Sequence, residues 1–263
     1  MSRRERSPAV LFAPALVGLA FLVLPLVGLL AKTPWRQLPA LLSSNDAWLA
    51  LRLSLEAATM ATGVSIVLGV PLAWLLARAR FPGRKLVRAL VTVPLVLPPV
   101  VAGIALLLVF GRHGVLGGFM DRDLGVTLPF TTAGVVVAES FVAMPYLVVS
   151  VESAVRLADK DVEEAAATGG ANEWQIFRYI TLPAVAPGVA SGAVLAWARA
   201  LGEFGATITF AGNFPGTTQT MPLAVYLELE QDPDAAVALS VVLLAVSVAV
   251  LAILRERWWT GIR

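Results

Sequence analysis

The sequence predicts an all-α integral membrane protein of six transmembrane helices, and three observations carry that reading. The 263 residues are 58% hydrophobic and only 14% charged, with a mean hydropathy of +0.80. A soluble domain is nearer 25% charged. Apolar runs recur along the chain, each of roughly the 20 residues that a helix needs to cross the hydrocarbon core. The Lys and Arg residues between them fall mainly on one side once the runs are threaded back and forth.

The first span covers about Ala9 to Ala31. Arg3, Arg4 and Arg6 precede it, as in a signal peptide, but the apolar run is longer than a signal core, so it reads as a retained helix. Residues 32–45 are polar enough for an external loop. The second span runs from about Ala47 to Leu76 and is followed by a basic loop with Arg78, Arg80, Arg84, Lys85 and Arg88. The third, about Val87 to Phe110, contains Pro94, Pro98 and Pro99 near its start. Proline there is either a tolerated kink or a break whose freed backbone must be buried in protein or line a cavity; both readings stand.

Residues 111–132 form a Gly-rich external loop, and the fourth span covers about Ala133 to Val151. A polar island at 155–183 separates it from the fifth span, about Val185 to Ala211. Residues 212–234 are external and carry Glu228, Glu230, Asp232 and Asp234. The sixth span, about Ala235 to Leu254, precedes Arg255, Arg257 and Arg263. With both termini in the cytoplasm, 14 of the 20 Lys and Arg lie inside. Lys32, Arg36, Arg52, Arg112 and Arg122 lie outside, and Arg199 lies within a span. That bias places the island in the cytoplasm.

The same inventory excludes several functions. A net charge of +2 is too small to argue for nucleic acid. Cysteine is absent, so disulfides, thiolate nucleophiles and Cys-based metal sites cannot form. The three lysines, Lys32, Lys85 and Lys160, follow no phosphate-binding glycine pattern, so any ATP would be bound by another polypeptide. His113 is the single histidine and reads as a solvated loop residue. With no H-E-x-x-H or G-x-S-x-G motif, the chain lacks the makings of an intramembrane enzyme, and no catalytic residue, metal site or cofactor is expected in it.

The island reads as helix, turn, helix. Asp161, with Glu164 three residues on, fits a capping box. The run Glu163 to Ala167 favours helix, Gly169-Gly170 stops it, and Asn172 with Gln175 restarts one. Leu182-Pro183 closes the second helix, because the residue before proline avoids the α region. The alanines leave a narrow rod able to lie in a groove, and Trp174, Ile176, Phe177 and Ile180 offer an apolar side to anchor it. A surface loop without a partner is the alternative. In the fifth span, Arg199 and Glu203 are four residues apart and share a face. They either pair with each other or contact substrate. Thr207 continues that face, while Gly188, Gly192, Gly202 and Gly205 permit close backbone approach.

Glu164, Ala165, Ala166, Gly170, Ile180, Leu182 and Pro183 meet, at every fixed position, the pattern Glu-Ala-Ala, three residues, Gly, nine residues, Ile, one residue, Leu-Pro. This resembles the signature loop of the membrane subunits of bacterial ABC importers, the type I permeases. The run from Leu201 to Phe210, Asn213-x-Pro215-Gly216-x-Thr218, Phe81-Pro82-Gly83, Pro94 to Pro99 and Gly111-Arg112-x-Gly114 are similar to the molybdate branch. Sulfate permeases share the Gly-Glu-Phe-Gly-Ala core of the Leu201 run but look less alike beyond it.

The resemblance covers about Leu51 to Leu254. It implies an N-terminal helix and loop at 1–50, a permease domain at 51–255 and a cytoplasmic tail at 256–263. It also implies a type I importer permease fold in the bacterial cytoplasmic membrane, with the island as a coupling helix docked on an ATPase. The implied partners are an ATPase subunit dimer that binds ATP-Mg, a periplasmic or lipid-anchored oxyanion-binding protein, and a second copy of the chain. Glu203, Thr207, Thr209, Pro98 and Pro99 are the candidates for the translocation path. Sulfate or tungstate is the alternative cargo. A channel or ion-coupled transporter would instead need a chain of buried acids, for which Glu56, Glu139 and Glu203 are scattered in sequence.

Overall fold

The computed structural model describes residues 11–42 and 44–259, all of it helices and their connections. Arg3, Arg4, Arg6 and Arg263 lie outside the described residues. The helices are α1 (Phe12–Lys32), α2 (Leu38–Leu42), α3 (Asn45–Arg78), α4 (Arg84–Val96), α5 (Pro99–Phe110), α6 (Gly117–Leu124) and α7 (Thr132–Leu157). They continue with α8 (Lys160–Thr168), α9 (Glu173–Ile176), α10 (Leu182–Leu201), α11 (Gly205–Phe210), α12 (Met221–Gln231) and α13 (Pro233–Trp259).

Among the described residues, five helices are long and apolar enough to cross a membrane. They begin at Phe12, Asn45, Thr132, Glu173 and Pro233, and Pro99–Phe110 is a shorter apolar helix. The six expected continuous spans are therefore not matched one for one. The third span is two pieces, because Leu97 and Pro98 are extended between α4 and α5. Proline lacks the N–H that would continue the ladder, and Pro99 then fits the first turn of the next helix. The fifth span also breaks, at Gly202–Phe204, so it does not reach Ala211 as one helix. The segments expected as loops carry short helices: α2 within 32–45, α6 within 111–132 and α12 within 212–234. Helix α3 runs unbroken through residue 50, and α13 extends to Trp259, past the start of the expected tail.

The central layer is α3, α7 and α10, packed on one another around Ala58, Ala61, Ala73, Leu76, Leu147, Val151 and Ala196. Small residues let these helices approach, as van der Waals contact must do where lipid removes the hydrophobic driving force. A methyl group added at Gly192 would sit 3.1 Å from Leu147 Cα, and one at Gly188 would sit 2.4 Å from Ala154 Cβ. Helix α5 packs on α11, which sits against α7 through Ala138, Val142, Ala206 and Phe210. Helices α12 and α13 pair and lean on α3, where Ser54 Oγ accepts the Met221 N–H at 2.6 Å. Helix α1 has no buried residue and touches the rest through α13.

Gly192→Val should overpack the α7–α10 seam and destabilise the bundle by about 1–3 kcal/mol. Gly63→Ala, on an open face of α3, should leave it unchanged. Thermal unfolding of the detergent-solubilised protein, followed by aggregation, checks both.

Candidate functional site

The polar island forms an elbow of two short helices, as the sequence predicts, but its ends are built differently. Asp159, not Asp161, caps α8: its carboxylate accepts the Asp161 N–H at 2.9 Å. The extended backbone ends at Asp159, so α8 starts two residues earlier than expected and Asp161 falls in the first turn, where its charge suits the helix dipole. The glycine stop is as expected. Gly170 takes φ +92°, the Gly170 N–H donates to the Ala167 carbonyl, and the Ala171 N–H reaches back to the Ala166 carbonyl, each at 3.0 Å. This is a Schellman closure, which requires a left-handed residue at that place. Asn172 and Gln175 exchange both bonds of a capping box at 2.9 Å.

The second helix does not close at Leu182-Pro183. Leu182 stays helical at φ −61°, ψ −45°. Residues Phe177–Thr181 widen into a π-turn, and the Leu182 N–H bonds the Phe177 carbonyl five residues back. The wider turn makes room for the Pro183 ring, so the elbow runs straight into α10.

The signature residues sort by exposure. Glu164, Ala165, Gly170 and Pro183 are exposed, while Ala166, Ile180 and Leu182 are half-buried. Leu182 and Phe177 pack against the central layer. The apolar anchor is Phe177, stacked edge-on to Trp74 at 5.7 Å. Trp174 touches Phe177 but remains 67% exposed, beside a shallow groove of about 310 Å³ that Pro71 and Trp74 also line.

Arginines tie this end of the bundle together. Arg78 Nε lies 3.0 Å from Glu163 Oε2. Arg78 Nη2 donates to Glu163 Oε1 and to the Ala158 carbonyl, both at 3.1 Å. Thr181 donates to Glu163 Oε1 at 2.8 Å. Glu152 Oε1 takes Arg88 Nη2 and Arg156 Nη2, each at 2.6 Å. Arg84 and Arg88 donate to the last carbonyls of α3, those of Leu76 and Ala77, and Arg84 also to that of Ala79, just past its end. Sequence reasoning missed Arg78, Glu163, Thr181 and Glu152. The partners lie 85 and 18 residues from Glu163, beyond any local spacing rule.

The path candidates divide. Pro98 and Pro99 are exposed at the α4–α5 break. Pro99 meets the start of α11, since a methyl at Gly205 would sit 2.8 Å from Pro99 Cβ. One at Gly103 would sit 2.6 Å from Thr209 Cβ, so the two half-helices cross here. Thr209 is half-buried, and its hydroxyl bonds the Gly205 carbonyl at 2.8 Å. Glu203 (1% exposed) and Thr207 (0%) are interior, so neither opens onto a surface of the single chain. The alternative left open for Arg199 resolves as pairing: Arg199 Nη2 holds Glu203 Oε2. Glu203 Oε1 accepts the Ala206 N–H at 2.8 Å, capping α11. Because α10 and α11 are separate helices, Thr207 does not extend an Arg199–Glu203 face. Glu139 of α7, also 1% exposed, lies within electrostatic range of Glu203 and was not separable by sequence from other span acids.

A multi-span helical bundle, interrupted helices meeting inside it and a polar elbow at one end define the membrane subunit of a transporter. Residues 65–258 match the family of binding-protein-dependent transport system inner membrane components, and the chain belongs to that family. It is 47% identical over 244 residues to a molybdenum transport system permease protein of Mycobacterium tuberculosis, covering 93% of this chain and 92% of the relative. It is 39% identical to the Escherichia coli permease of the same description, over 82% and 94% of the two chains. An Escherichia coli sulfate transport system permease is 37% identical, over 88% and 84%. The fold is that of the crystal structure of a bacterial ABC transporter involved in alginate import (TM-score 0.76, 19% identity, 97% and 96% coverage). An inward-facing methionine ABC transporter gives a TM-score of 0.62 at 17% identity, over 83% and 95%.

Glu203→Ala should cost about 3–5 kcal/mol, because it leaves the half-buried Arg199 guanidinium and the buried Ala206 N–H unpartnered. The double change Arg199→Met with Glu203→Met should cost less than the two single changes summed. Melting of the solubilised variants in a double-mutant cycle checks both.

Proposed function

We propose that this chain is the membrane-spanning subunit of an ATP-driven oxyanion importer whose cargo is molybdate. The observation that carries the reading is the joint presence of near-half identity to molybdenum permeases along almost the whole chain and a complete signature elbow at one end of the bundle. Two copies form the pathway on a shared two-fold axis. A periplasmic or lipid-anchored binding protein delivers the anion to the external face. Two ATPase subunits bind ATP-Mg and grip the exposed elbow residues Glu164, Ala165 and Gly170 of each copy. Both termini and the elbow lie in the cytoplasm, and the arginine-rich ends of α3, α4 and α7 agree with that orientation.

Nucleotide moves the machine only if it binds one motor arrangement better than another. A rigid elbow then converts the closing of the motors into tilting of the helices. The pathway suits a tetrahedral dianion that must leave again. Arg199, the half-buried arginine of the fifth span, is paired with Glu203 and so is not left free to hold the anion tightly. Hydroxyls and backbone N–H groups at interrupted helices remain to meet the oxyanion. Thr207 Oγ1 is buried without a protein partner, and Pro98, Pro99 and Thr209 lie where the half-helices cross. Sulfate is the second reading, favoured by the likeness to a sulfate permease.

Uptake of labelled molybdate into cells carrying the permease with its ATPase and binding protein should be competed by tungstate and hardly by sulfate. Strong competition by sulfate would assign the sulfate branch instead. Gly170→Val forces a β-branched residue to φ +92° and should abolish ATP-dependent uptake while membrane insertion persists. Gly170→Asn, which tolerates that conformation, should retain more uptake. Uptake unchanged in the valine variant would remove the elbow from the mechanism.

A further inference from the structure

We propose that the Glu163 carboxylate, held by Arg78 and Thr181, is the positioning link through which the elbow moves the transmembrane bundle. The inference rests on the reading of the elbow as the surface gripped by the ATPase.

Within α8 only Glu163 and Ala166 are half-buried; the other seven residues are exposed. The helix therefore stands away from the bundle, and Ala166 offers it nothing but a methyl group. Glu163 is the α8 side chain that reaches inward to charged and hydroxyl groups. Its Oε1 accepts from Arg78 and Thr181, and its Oε2 faces Arg78 Nε at 3.0 Å. Arg78 and Glu163 side chains are 10% and 15% exposed, so water screens them little.

Three elements converge on this one carboxylate. Arg78 is the last residue of α3, a 34-residue helix that reaches from the elbow to Ser54 and its bond to α12. Through Nη2 it also holds the Ala158 carbonyl, where α7 ends. Thr181 lies at the close of the π-turn that leads into α10. A displacement of α8 is thus delivered at once to α3, α7 and α10, the helices that form the central layer. The apolar contact of Phe177 on Trp74 also joins elbow to bundle, but stacked rings slide at little cost. The Arg78–Glu163 pair, one hydrogen bond from Nη2 with Nε close to the second oxygen, is directional as well as charged.

Glu163 and Thr181 sit immediately beside fixed positions of the signature without being among them. Glu164 points outward to the motor, and Glu163, one residue earlier, points inward to the bundle. The elbow therefore has two functional sides, a gripping side and a transmitting side.

The test uses the full transporter, with its ATPase and binding protein, in proteoliposomes. Labelled molybdate uptake and ATP hydrolysis are measured together, and co-purification of the ATPase reports assembly. Glu163→Gln and Arg78→Met should assemble normally yet lower uptake per ATP hydrolysed by at least about fivefold, the lower end of a typical coupling effect. Thr181→Val should lower it less. Restoring a pair of reversed sign, Arg78→Glu with Glu163→Arg, should recover part of the ratio. An unchanged ratio in both single variants overturns the link. So does loss of assembly in both that the reversed pair fails to restore, since that marks a structural role. Uptake by the unaltered permease without its ATPase would instead overturn the importer reading itself.

Discussion

A chain in lipid must satisfy its backbone polar groups internally, because the surrounding hydrocarbon offers no donors or acceptors. The architecture follows from how this protein meets that demand where its helices stop. Apart from the one ladder bond that each internal proline removes, Pro71 in α3 and Pro145 in α7, these two helices need help at their ends. There Arg84 and Arg88 hold the terminal carbonyls of α3, and Arg78 holds that of α7. Charge of this sign also suits the negative end of each helix dipole. Inside the bundle the break at Gly202–Phe204 would expose the first N–H groups of α11, and Glu203 supplies an acceptor for one of them. Arg199, one turn earlier, neutralises that acid in place. The break at Leu97–Pro98 needs less, since Pro98 and Pro99 have no N–H to satisfy.

These interruptions make a transport path conceivable without a large cavity in the single chain. Helices α5 and α11 are too short to span a bilayer alone, and they cross with contact at Gly103 and Gly205. Glycine is required there because backbone and side chains of the partner lie within 3 Å of where a methyl would sit. The exposed prolines border that crossing. Pro99 packs on the start of α11 at that crossing, whereas α3, α7 and α10 share one packed core.

Class, most spans and the elbow were legible in the sequence because each depends on local patterning. Apolar runs of span length, the Gly169-Gly170 stop and the Asn172–Gln175 box act over a few residues. The Arg199–Glu203 pair was legible for the same reason. The break at 202–204 was not, because Gly202 and Gly205 read equally well as packing glycines, and a strong apolar run masks a three-residue interruption. The start of α8 was misplaced by two residues because Asp159 and Asp161 both suit a cap, and only the extended backbone of Asp159, with Lys160 already helical, decides between them. The closure expected at Pro183 failed because a π-turn absorbs the ring. Least legible was the network at Glu163, whose partners come from the far ends of other helices. Exposure of Thr207 and Glu203 could not be read either, since helix periodicity is lost where the helix is.

The π-turn at Phe177–Thr181 has a consequence for how the elbow is aimed. Such a turn holds one residue more than an α-turn, and each residue of an α-helix advances the azimuth by roughly 100°. The surplus residue therefore sets the compass bearing of α8 and α9 relative to α10. A chain one residue shorter there would turn the exposed face of α8 sideways while leaving every span intact.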